Sequence, residues 1–452
     1  MAALVAVAAS LVAKAAAADL GHDTVDDGGI DVIGLVDAAA RPGSPAASMA
    51  WSDLARPKKI GSYVIEVRGA GEAVYIPHCN GRGKVSIDGV VKDPGSKGAY
   101  VLPLEAGKAH DVRIEVAVST YEKRIACGER IRIGPKARST EGIARLRFPS
   151  PSTKADAGEA VVFVPPGHDP KKPGALLVGT HPWNGSPWTY AAYRELLEEA
   201  QAKDVVLLMP SGLGNLLYIA EAEDEVMRAI DALEKEVAID RRRVSIWGAS
   251  MGGAGATTIS FHRPDRFAFV ASWFGDSKYD VTTYVRSLLP TDAQAKRVNA
   301  LDVVENARHL PVFLVHGEDD RTSPIVQSTM LYDAMKKNGF SVELERVPGM
   351  GHEGPLVVKY IRKVVDRAAD AKAPEHPSRV SFRSVRPSDT AAYGVRLVRA
   401  GEGDAFVDLE KRDDGIHVLA ATGVKEIVLD DGALGATRGD PIARATVPVR
   451  WR

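Results

Sequence analysis

The sequence of 452 residues has little surplus charge and little that suggests a membrane or nucleic-acid partner. Lysine and arginine total 58 against 59 aspartate and glutamate, which gives a formal net charge of -1. Nucleic-acid-binding proteins usually carry a strongly basic face, so this balance argues against such a partner. No apolar run is long enough to span a bilayer, so no membrane segment is expected. The length predicts two or three domains of a soluble globular protein.

Cysteine is also scarce, with only Cys79 and Cys127. Neither belongs to a Cys-x-x-Cys pattern or to a Cys/His cluster, so a structural zinc site is not indicated. An exported chain would allow a disulfide between the two, whereas the alternative is a pair of inert buried thiols.

The N-terminus carries an apolar run over residues 2–13, too short to cross a membrane, followed by an Ala-x-Ala-like site near Ala18. This pattern predicts a signal peptide over residues 1–18 and a secreted or periplasmic protein. A basic n-region is missing and Lys14 interrupts the run, so an alanine-rich helix is the alternative. Residues 19–57 are rich in Gly, Asp, Pro and Ala and are expected to be a linker.

Changes in hydrophobic periodicity divide the rest of the chain. Residues 58–135 hold short strands separated by Gly, Pro and Asn turns, which predicts a small all-β sandwich. Over residues 158–371 apolar strands alternate with helices, which predicts a mostly parallel sheet flanked by helices. Residues 276–309 interrupt this alternation and are expected to form an insertion, a candidate lid. Residues 376–452 return to β-type runs and predict a small C-terminal β domain.

The stretch IWGASMGGAGATTIS, residues 246–260, places Ser250 between an apolar strand and the start of a helix. A Gly-x-Ser-x-Gly match is weak by itself in a chain with 42 glycines, but strand, turn and helix together are typical of a nucleophile elbow. In such an elbow Gly248 and Gly252 let the strand and the helix approach closely. We therefore predict Ser250 as a nucleophile, with a turn serine as the alternative. The N–H of Met251, at the helix N-terminus, is expected to face an oxyanion.

A serine nucleophile needs a base, and in the usual order for such an elbow the acid precedes a final histidine. The strand PVFLVHG is followed by Asp320, and the strand SVELERV is followed by His352. Both positions are loops at the C-terminal ends of strands, where ligands meet an open parallel sheet. We predict His352 as the base and Asp320 as the acid, with Asp319 and then Asp276 as alternatives for the acid. Rival histidines for the base are His181, His262, His309 and His316.

A second oxyanion donor is expected in the loop His-Pro-Trp-Asn-Gly after the strand ALLVGT. Pro182 has no N–H, so Trp183 is predicted as the donor, and an exposed turn tryptophan is the alternative. Trp188 and His181 are expected to line a substrate pocket, although core packing is the commoner place for tryptophan.

Four motifs in this order, GTHPWNG, IWGASMGGAGA, VHGEDDRTSP and VPGMGHEGP, resemble the α/β-hydrolase superfamily. The resemblance covers about residues 158–370 and is closest to the branch of prolyl-oligopeptidase-type peptidases, feruloyl and acetyl esterases and polyester depolymerases. The residues it implies for the site are Ser250, Asp320 and His352 as a triad, with Met251 and Trp183 as oxyanion donors. The sequence departs from many members in having His-Pro where they have His-Gly. Residues 58–135 loosely resemble a galactose-binding-type sandwich of carbohydrate-active enzymes.

These features predict a serine esterase that works through an acyl-enzyme and requires no metal or organic cofactor. Its substrate is expected to be a small-molecule or polymer ester, and the accessory β domains favour, by analogy, a polymeric or glycosylated one. A prolyl-oligopeptidase-like peptidase is the second hypothesis, but roughly 80 residues of sandwich are too few for a propeller. A catalytically inactive binding protein is the third, and the complete set of Ser, Asp and His argues against it.

Overall fold

The structure, a computed structural model, describes residues 143–153, 157–169, 171–185, 187–191, 193–281 and 284–452, with Gly89 and seven strands ahead of them. The predicted signal peptide over residues 1–18, Cys79 and Cys127 lie outside the described residues. So does the predicted linker over residues 19–57, apart from one three-residue strand. Among the described helices, none has both the length and the apolar character needed to span a membrane.

Seven short strands precede residue 143. Their bounds are β1 (Asp37–Ala39), β2 (Gly61–Arg68), β3 (Ala73–Pro77), β4 (Gly83–Ile87), β5 (Val90–Lys92), β6 (Ala99–Pro103) and β7 (Ala109–Val116). They form two antiparallel sheets, one in the order β1-β2-β7-β4-β5 and one of β3 with β6. Six of these strands fall in the segment 58–135, for which a β-sandwich of galactose-binding type stays a prediction.

The strands from residue 143 to residue 347 are β8 (Ile143–Pro149), β9 (Ala157–Phe163), β10 (Gly174–Thr180), β11 (Val205–Pro210), β12 (Ile239–Ala249), β13 (Phe269–Trp273), β14 (Val312–Gly317) and β15 (Val342–Val347). The α-helices that the structure describes between residues 188 and 370 are α1 (Trp188–Ala191), α2 (Arg194–Lys203), α3 (Glu221–Glu236), α4 (Met251–His262), α5 (Asp292–Lys296), α6 (Val326–Lys337) and α7 (Gly354–Asp370). From β10 onward, strands and helices therefore alternate along the chain, as the periodicity predicts.

Two compact units make up the chain. The first comprises residues 1–174, 181–215 and 224–238, and the second comprises residues 175–180, 216–223 and 239–452. Within the first unit, β9 pairs antiparallel with both β8 and β11. All six residues of β11 are buried, as expected from its uninterrupted apolar sequence.

The second unit contains the parallel part of the sheet. Strands β12, β13, β14 and β15 lie side by side and parallel, and β10 lies next to β12. Every residue of β13 and β14 is buried, which is characteristic of a parallel sheet covered on both faces. Helix α4 packs on β12 and β13, α6 on β14 and β15, and α7 on β12, β13 and β14. These features confirm the predicted α/β-hydrolase core.

The predicted insertion consists of α5 and three 3₁₀ segments, Tyr279–Val281, Tyr284–Ser287 and Leu301–His309. Its start is tied to α6, because the side-chain carbonyl of Gln327 accepts hydrogen bonds from the N–H groups of Ser277 and Lys278, each at 3.0 Å. Its later part is tied to α4 by the hydroxyl of Thr258, which donates to the carbonyl of Val298 at 3.0 Å. A lid function for this segment stays a prediction.

The C-terminal segment forms two four-stranded sheets, in the orders β16-β19-β20-β22 and β17-β18-β21-β23. Their strands are β16 (Arg379–Ser384), β17 (Ala391–Ala392), β18 (Val395–Arg399), β19 (Ala405–Arg412), β20 (Gly415–Thr422), β21 (Val424–Leu429), β22 (Ile442–Arg444) and β23 (Val449–Trp451). Both sheets contribute to one apolar core, which includes Phe382 and Leu409 of the first and Leu397 and Ile427 of the second. The predicted C-terminal β structure is confirmed.

A buried cluster of charges connects this C-terminal segment to helices α3 and α4. The guanidinium of Arg386 donates two hydrogen bonds of 2.8 Å to Glu223, whose carboxylate also accepts from Arg263 at 2.6 Å. Arg386 donates in addition to Asp389 at 2.7 Å, and Nδ1 of His262 lies 2.5 Å from the same carboxylate. Burial alone would lower the pKa of Arg386, but the two carboxylates outweigh it and raise that pKa above its ordinary value. Each buried charge in the cluster has an opposite neighbour, so the loss of one member would leave a buried charge uncompensated.

We therefore expect Arg386→Met to lower the free energy of unfolding by about 3 kcal/mol, because it leaves Glu223 and Asp389 short of a buried partner. The matched control is Arg450→Met, which breaks an exposed pair with Glu426 and should cost less than about 1 kcal/mol. Urea unfolding of both variants measures the difference. Equal losses would contradict a structural role for the buried cluster.

Candidate active site

Ser250 is the single residue between β12, which ends at Ala249, and α4, which begins at Met251. Its backbone has φ 57° and ψ -123°, a conformation that a residue with a side chain adopts only when the surroundings enforce it. Two hydrogen bonds do so: its N–H donates to the carbonyl of Trp273, and its carbonyl accepts from Ala254, both at 2.9 Å. The turn thus presents the hydroxyl at the C-terminal end of a central strand.

The close approach of strand and helix at this turn depends on Gly248. A Cβ atom at Gly248 would lie 2.4 Å from Oγ1 of Thr180 and 2.5 Å from the carbonyl carbon of Gly252. The Thr180 hydroxyl fills this space and lies 2.9 Å from the carbonyl oxygen of Trp247 and 2.7 Å from that of Gly252. A larger residue at position 248 would therefore push the helix away from the strand.

Ser250, His352 and Asp320 are joined in one line of hydrogen bonds. The Ser250 hydroxyl lies 2.8 Å from Nε2 of His352, and Nδ1 of His352 lies 2.7 Å from Oδ2 of Asp320. The Asp320 side chain is fully buried, while that of His352 is 21% exposed. This arrangement fixes the imidazole as the Nδ1–H tautomer, so that Nε2 is free to take a proton from the serine.

The charge of Asp320 is stabilised on both oxygens. Oδ1 accepts hydrogen bonds from the N–H groups of Thr322 at 2.8 Å and Ser323 at 3.0 Å. Oδ2 accepts a hydrogen bond of 2.7 Å from Nδ1 of His352 and also lies 3.5 Å from Nε2 of His316. Burial alone would raise the pKa of Asp320, but the hydrogen bonds from the two histidines and from Ser323 hold that pKa far below its ordinary value. Asp320 therefore stays ionised at neutral pH despite its burial.

The two alternative acids lie elsewhere. Asp319 is exposed, and its N–H donates to the carbonyl of Met350 at 2.9 Å. Asp276 is buried, and Oδ1 of its carboxylate accepts a hydrogen bond of 2.7 Å from the hydroxyl of Ser323. Of the three candidates, Asp320 is the one whose carboxylate is hydrogen-bonded to His352.

The rival histidines have other partners. His316 lies 2.7 Å from the Ser328 hydroxyl and 2.8 Å from the Ser323 carbonyl. His309 lies 2.6 Å from the Arg379 carbonyl, and His262 belongs to the buried charge cluster described above. His181 is buried in the first unit, with its ring nitrogens 2.9 Å from the Pro182 carbonyl and 2.8 Å from the Ser211 carbonyl.

Met251 is the first residue of α4, where backbone N–H groups have no acceptor within the helix. Trp183 is 42% exposed and lies in a turn closed by a hydrogen bond of 2.8 Å from the N–H of Gly185 to the carbonyl of Pro182.

The two predicted pocket residues are His181 and Trp188. Burial lowers the pKa of His181, although its two carbonyl neighbours favour the protonated ring. Trp188 begins α1, and its side chain is outside the described part of the structure. The oxyanion roles of Met251 and Trp183 and the pocket roles of Trp188 and His181 stay predictions.

Two residues beside this site were not predicted. Phe274 follows β13 with its ring centroid 4.3 Å from that of His352, and Ser323 connects the loop of Asp320 to Asp276. In the sequence Phe274 reads as the last apolar residue of a buried strand. Ser323 reads as an ordinary loop serine, so no local pattern marks either residue.

A mostly parallel sheet with a serine elbow and a histidine after its last strand is the arrangement found in serine hydrolases of the α/β-hydrolase class. Residues 220–370, about a third of the chain, match the prolyl oligopeptidase family, which supports the same class. An uncharacterized peptidase of Bacillus subtilis (strain 168), YuxL, is 28% identical over 157 residues, which are 30% of this chain and 22% of that protein. The chain thus matches less than a quarter of that relative's length.

Solved structures resemble parts of the chain. An S-formylglutathione hydrolase from Agrobacterium tumefaciens is similar over 51% of this chain and 95% of its own, with 18% identity and a TM-score of 0.46. A putative dipeptidyl aminopeptidase IV from Bacteroides ovatus is similar over 69% of this chain and 48% of its own, with 12% identity and a TM-score of 0.45.

If Asp320 orients and charge-compensates His352, Asp320→Asn should lower kcat on an activated ester by about 10⁴-fold, because the amide favours the wrong imidazole tautomer. The control is Asp319→Asn, at the neighbouring exposed position, which should leave kcat within about twofold of wild type. Steady-state kinetics of the two variants and the wild type give the comparison. A large loss in the Asp319 variant with near-normal Asp320→Asn would move the acid to the other carboxylate.

Proposed function

We propose that this protein hydrolyses carboxylic esters through an acyl-enzyme formed on Ser250. The observation that carries the proposal is the continuous hydrogen-bonded line from Ser250 Oγ through His352 to the buried carboxylate of Asp320. A serine hydroxyl is a weak nucleophile unless a base removes its proton, and this line supplies a base in the required tautomer.

In the acylation half, Ser250 Oγ forms a bond to the ester carbonyl carbon while its proton passes to Nε2 of His352. The π electrons of the carbonyl move onto its oxygen, and Asp320 stabilises the imidazolium that results. The N–H of Met251, at the start of α4, donates to this oxyanion, and the helix dipole adds to the stabilisation. We assign the second donor role to the N–H of Trp183.

The tetrahedral intermediate collapses when the bond to the alcohol oxygen breaks and that oxygen takes the proton from Nε2. Water then enters, gives a proton to the same nitrogen and attacks the acyl carbon. Departure of the serine oxygen, with return of the proton to it, releases the acid and restores the enzyme. His352 thus acts as a base and as an acid in each half of the reaction.

Of the possible substrates, esters are the class that Ser250, His352 and Asp320 can cleave with the least additional assistance to the leaving group. An alcohol is a better leaving group than an amine, so ester cleavage depends less on protonation of the departing atom. The C-terminal β sheets, which have a core of their own, fit an enzyme of polymeric or glycosylated esters. We propose such a substrate on the analogy with accessory β domains.

Peptide hydrolysis is the second candidate, and the match of residues 220–370 to the prolyl oligopeptidase family favours it. The same triad chemistry would apply, with an amine in place of the alcohol. A peptidase must in addition bind and orient an extended chain, so the two activities are separated by substrate choice rather than by the triad.

An active serine predicts covalent capture of Ser250. A fluorophosphonate probe should label the wild type and should not label Ser250→Ala, because the phosphorus atom takes the place of the acyl carbon. Ser260→Ala, on the far turn of α4, is the matched control and should be labelled at the wild-type rate. Absence of labelling in the folded wild type would favour a binding protein without catalysis.

The substrate class is decided by comparing short p-nitrophenyl esters with Gly-Pro and Ala-Ala anilides at equal concentration. We expect ester turnover to exceed anilide turnover by at least about 10²-fold in kcat/KM, a difference of about 3 kcal/mol in the barrier. Ser250→Ala serves as the blank for both substrates. If the anilides turn over and the esters hardly do, the peptidase is the correct assignment.

A further inference from the structure

Phe274 occupies a strained position immediately after β13. Its backbone has φ 38°, in the left-handed region that residues with side chains rarely adopt. The N–H of Phe274 donates to the carbonyl of Val315 in β14 at 2.9 Å, and its side chain is only 3% exposed. Strain of this kind persists only where the surroundings enforce it, and it is concentrated at functional sites.

The strained turn is packed tightly against the helix that carries the nucleophile. A Cβ atom at the next residue, Gly275, would lie 2.4 Å from the backbone nitrogen of Ala254, in the first turn of α4. The backbone that carries Phe274 is therefore held close to the helix that follows Ser250.

The ring lies against the base. Its centroid is 4.3 Å from that of the His352 imidazole, with 49° between the two planes, and it is 6.4 Å from the His316 ring. Both nitrogens of His352 are already engaged, one by Asp320 and the other by Ser250. The face of the imidazole is thus the remaining surface through which the protein can influence it.

During acylation that imidazole becomes a cation. An aromatic face within about 6 Å of a cation attracts it through the ring quadrupole, and the attraction grows when water is excluded. The neutral imidazole gains less from the same ring, so the interaction favours the state in which the proton has left the serine.

We propose that Phe274 is a positioning residue for His352, whose ring holds the imidazole plane and stabilises the imidazolium formed when the Ser250 proton reaches Nε2. This inference rests on the proposed function, because it assigns a role within proton transfer by His352. On this view, the strained backbone at Phe274 directs its ring to the His352 imidazole, a position that the ring would not reach from a regular strand end.

The test compares two changes at position 274 with one at Phe267, which is fully buried two residues before β13. Phe274→Leu removes the ring but keeps an apolar side chain, and Phe274→pentafluorophenylalanine keeps the shape but reverses the quadrupole. We expect each change at position 274 to lower kcat on a p-nitrophenyl ester by about three- to tenfold at nearly constant KM. Phe267→Leu should leave kcat unchanged even if it lowers the melting temperature.

Proton NMR gives a second measurement, which a change in protein stability alone would not alter. The ring-proton resonances of His352 should shift in Phe274→Leu, because the ring current of a neighbouring aromatic is lost, and should stay in place in Phe267→Leu. If Phe274→Leu does not fold, the isosteric fluorinated variant still decides the matter.

The outcomes separate this inference from the proposed function. An active wild type whose kcat is unchanged by pentafluorophenylalanine overturns the role of Phe274 and leaves the esterase intact. A wild type that neither turns over esters nor reacts with a fluorophosphonate overturns the proposed function and the inference with it.

Discussion

The close contact between the end of β12 and the start of α4 is the constraint on which the rest of the site depends. Ser250 lies at this turn with φ 57° and contacts His352 at 2.8 Å, and the backbones of the strand and the helix approach each other closely at Gly248. Gly248 and the hydroxyl of Thr180 make the contact possible from one side. On the other side, the backbone of Gly275 approaches α4 equally closely and carries Phe274 with it.

A second constraint is electrostatic. Asp320 has a fully buried carboxylate, and a buried charge is tolerated only when its oxygens have donors. Backbone N–H groups of Thr322 and Ser323 satisfy one oxygen, so the other is directed at His352. The loop after β14 is therefore shaped around the charge, and the direction of the carboxylate follows from the same hydrogen bonds that lower its pKa.

Helix α4 connects the proposed chemistry to the C-terminal sheets. Its first residue follows Ser250, and its last residue, His262, is hydrogen-bonded to Asp389 of the C-terminal segment. Arg386 extends this contact to Glu223 at the beginning of α3. The C-terminal segment is thus joined by buried charges to the far end of the helix on which the elbow is built, and not by apolar contact alone.

The alternation of strands and helices, the elbow around Ser250 and the order of the candidate acids and the final histidine can all be read from the sequence. These features are local, because periodicity and glycine spacing act between near neighbours in the chain. The three-dimensional contacts were needed to show that Asp320, rather than Asp319 or Asp276, is hydrogen-bonded to His352, and that His262 is hydrogen-bonded to Asp389. It also placed Phe274 against the imidazole, which no pattern in the sequence marks. The physical reason is that these contacts join residues tens to more than a hundred positions apart, and the loops at the ends of the folded sheet bring them together.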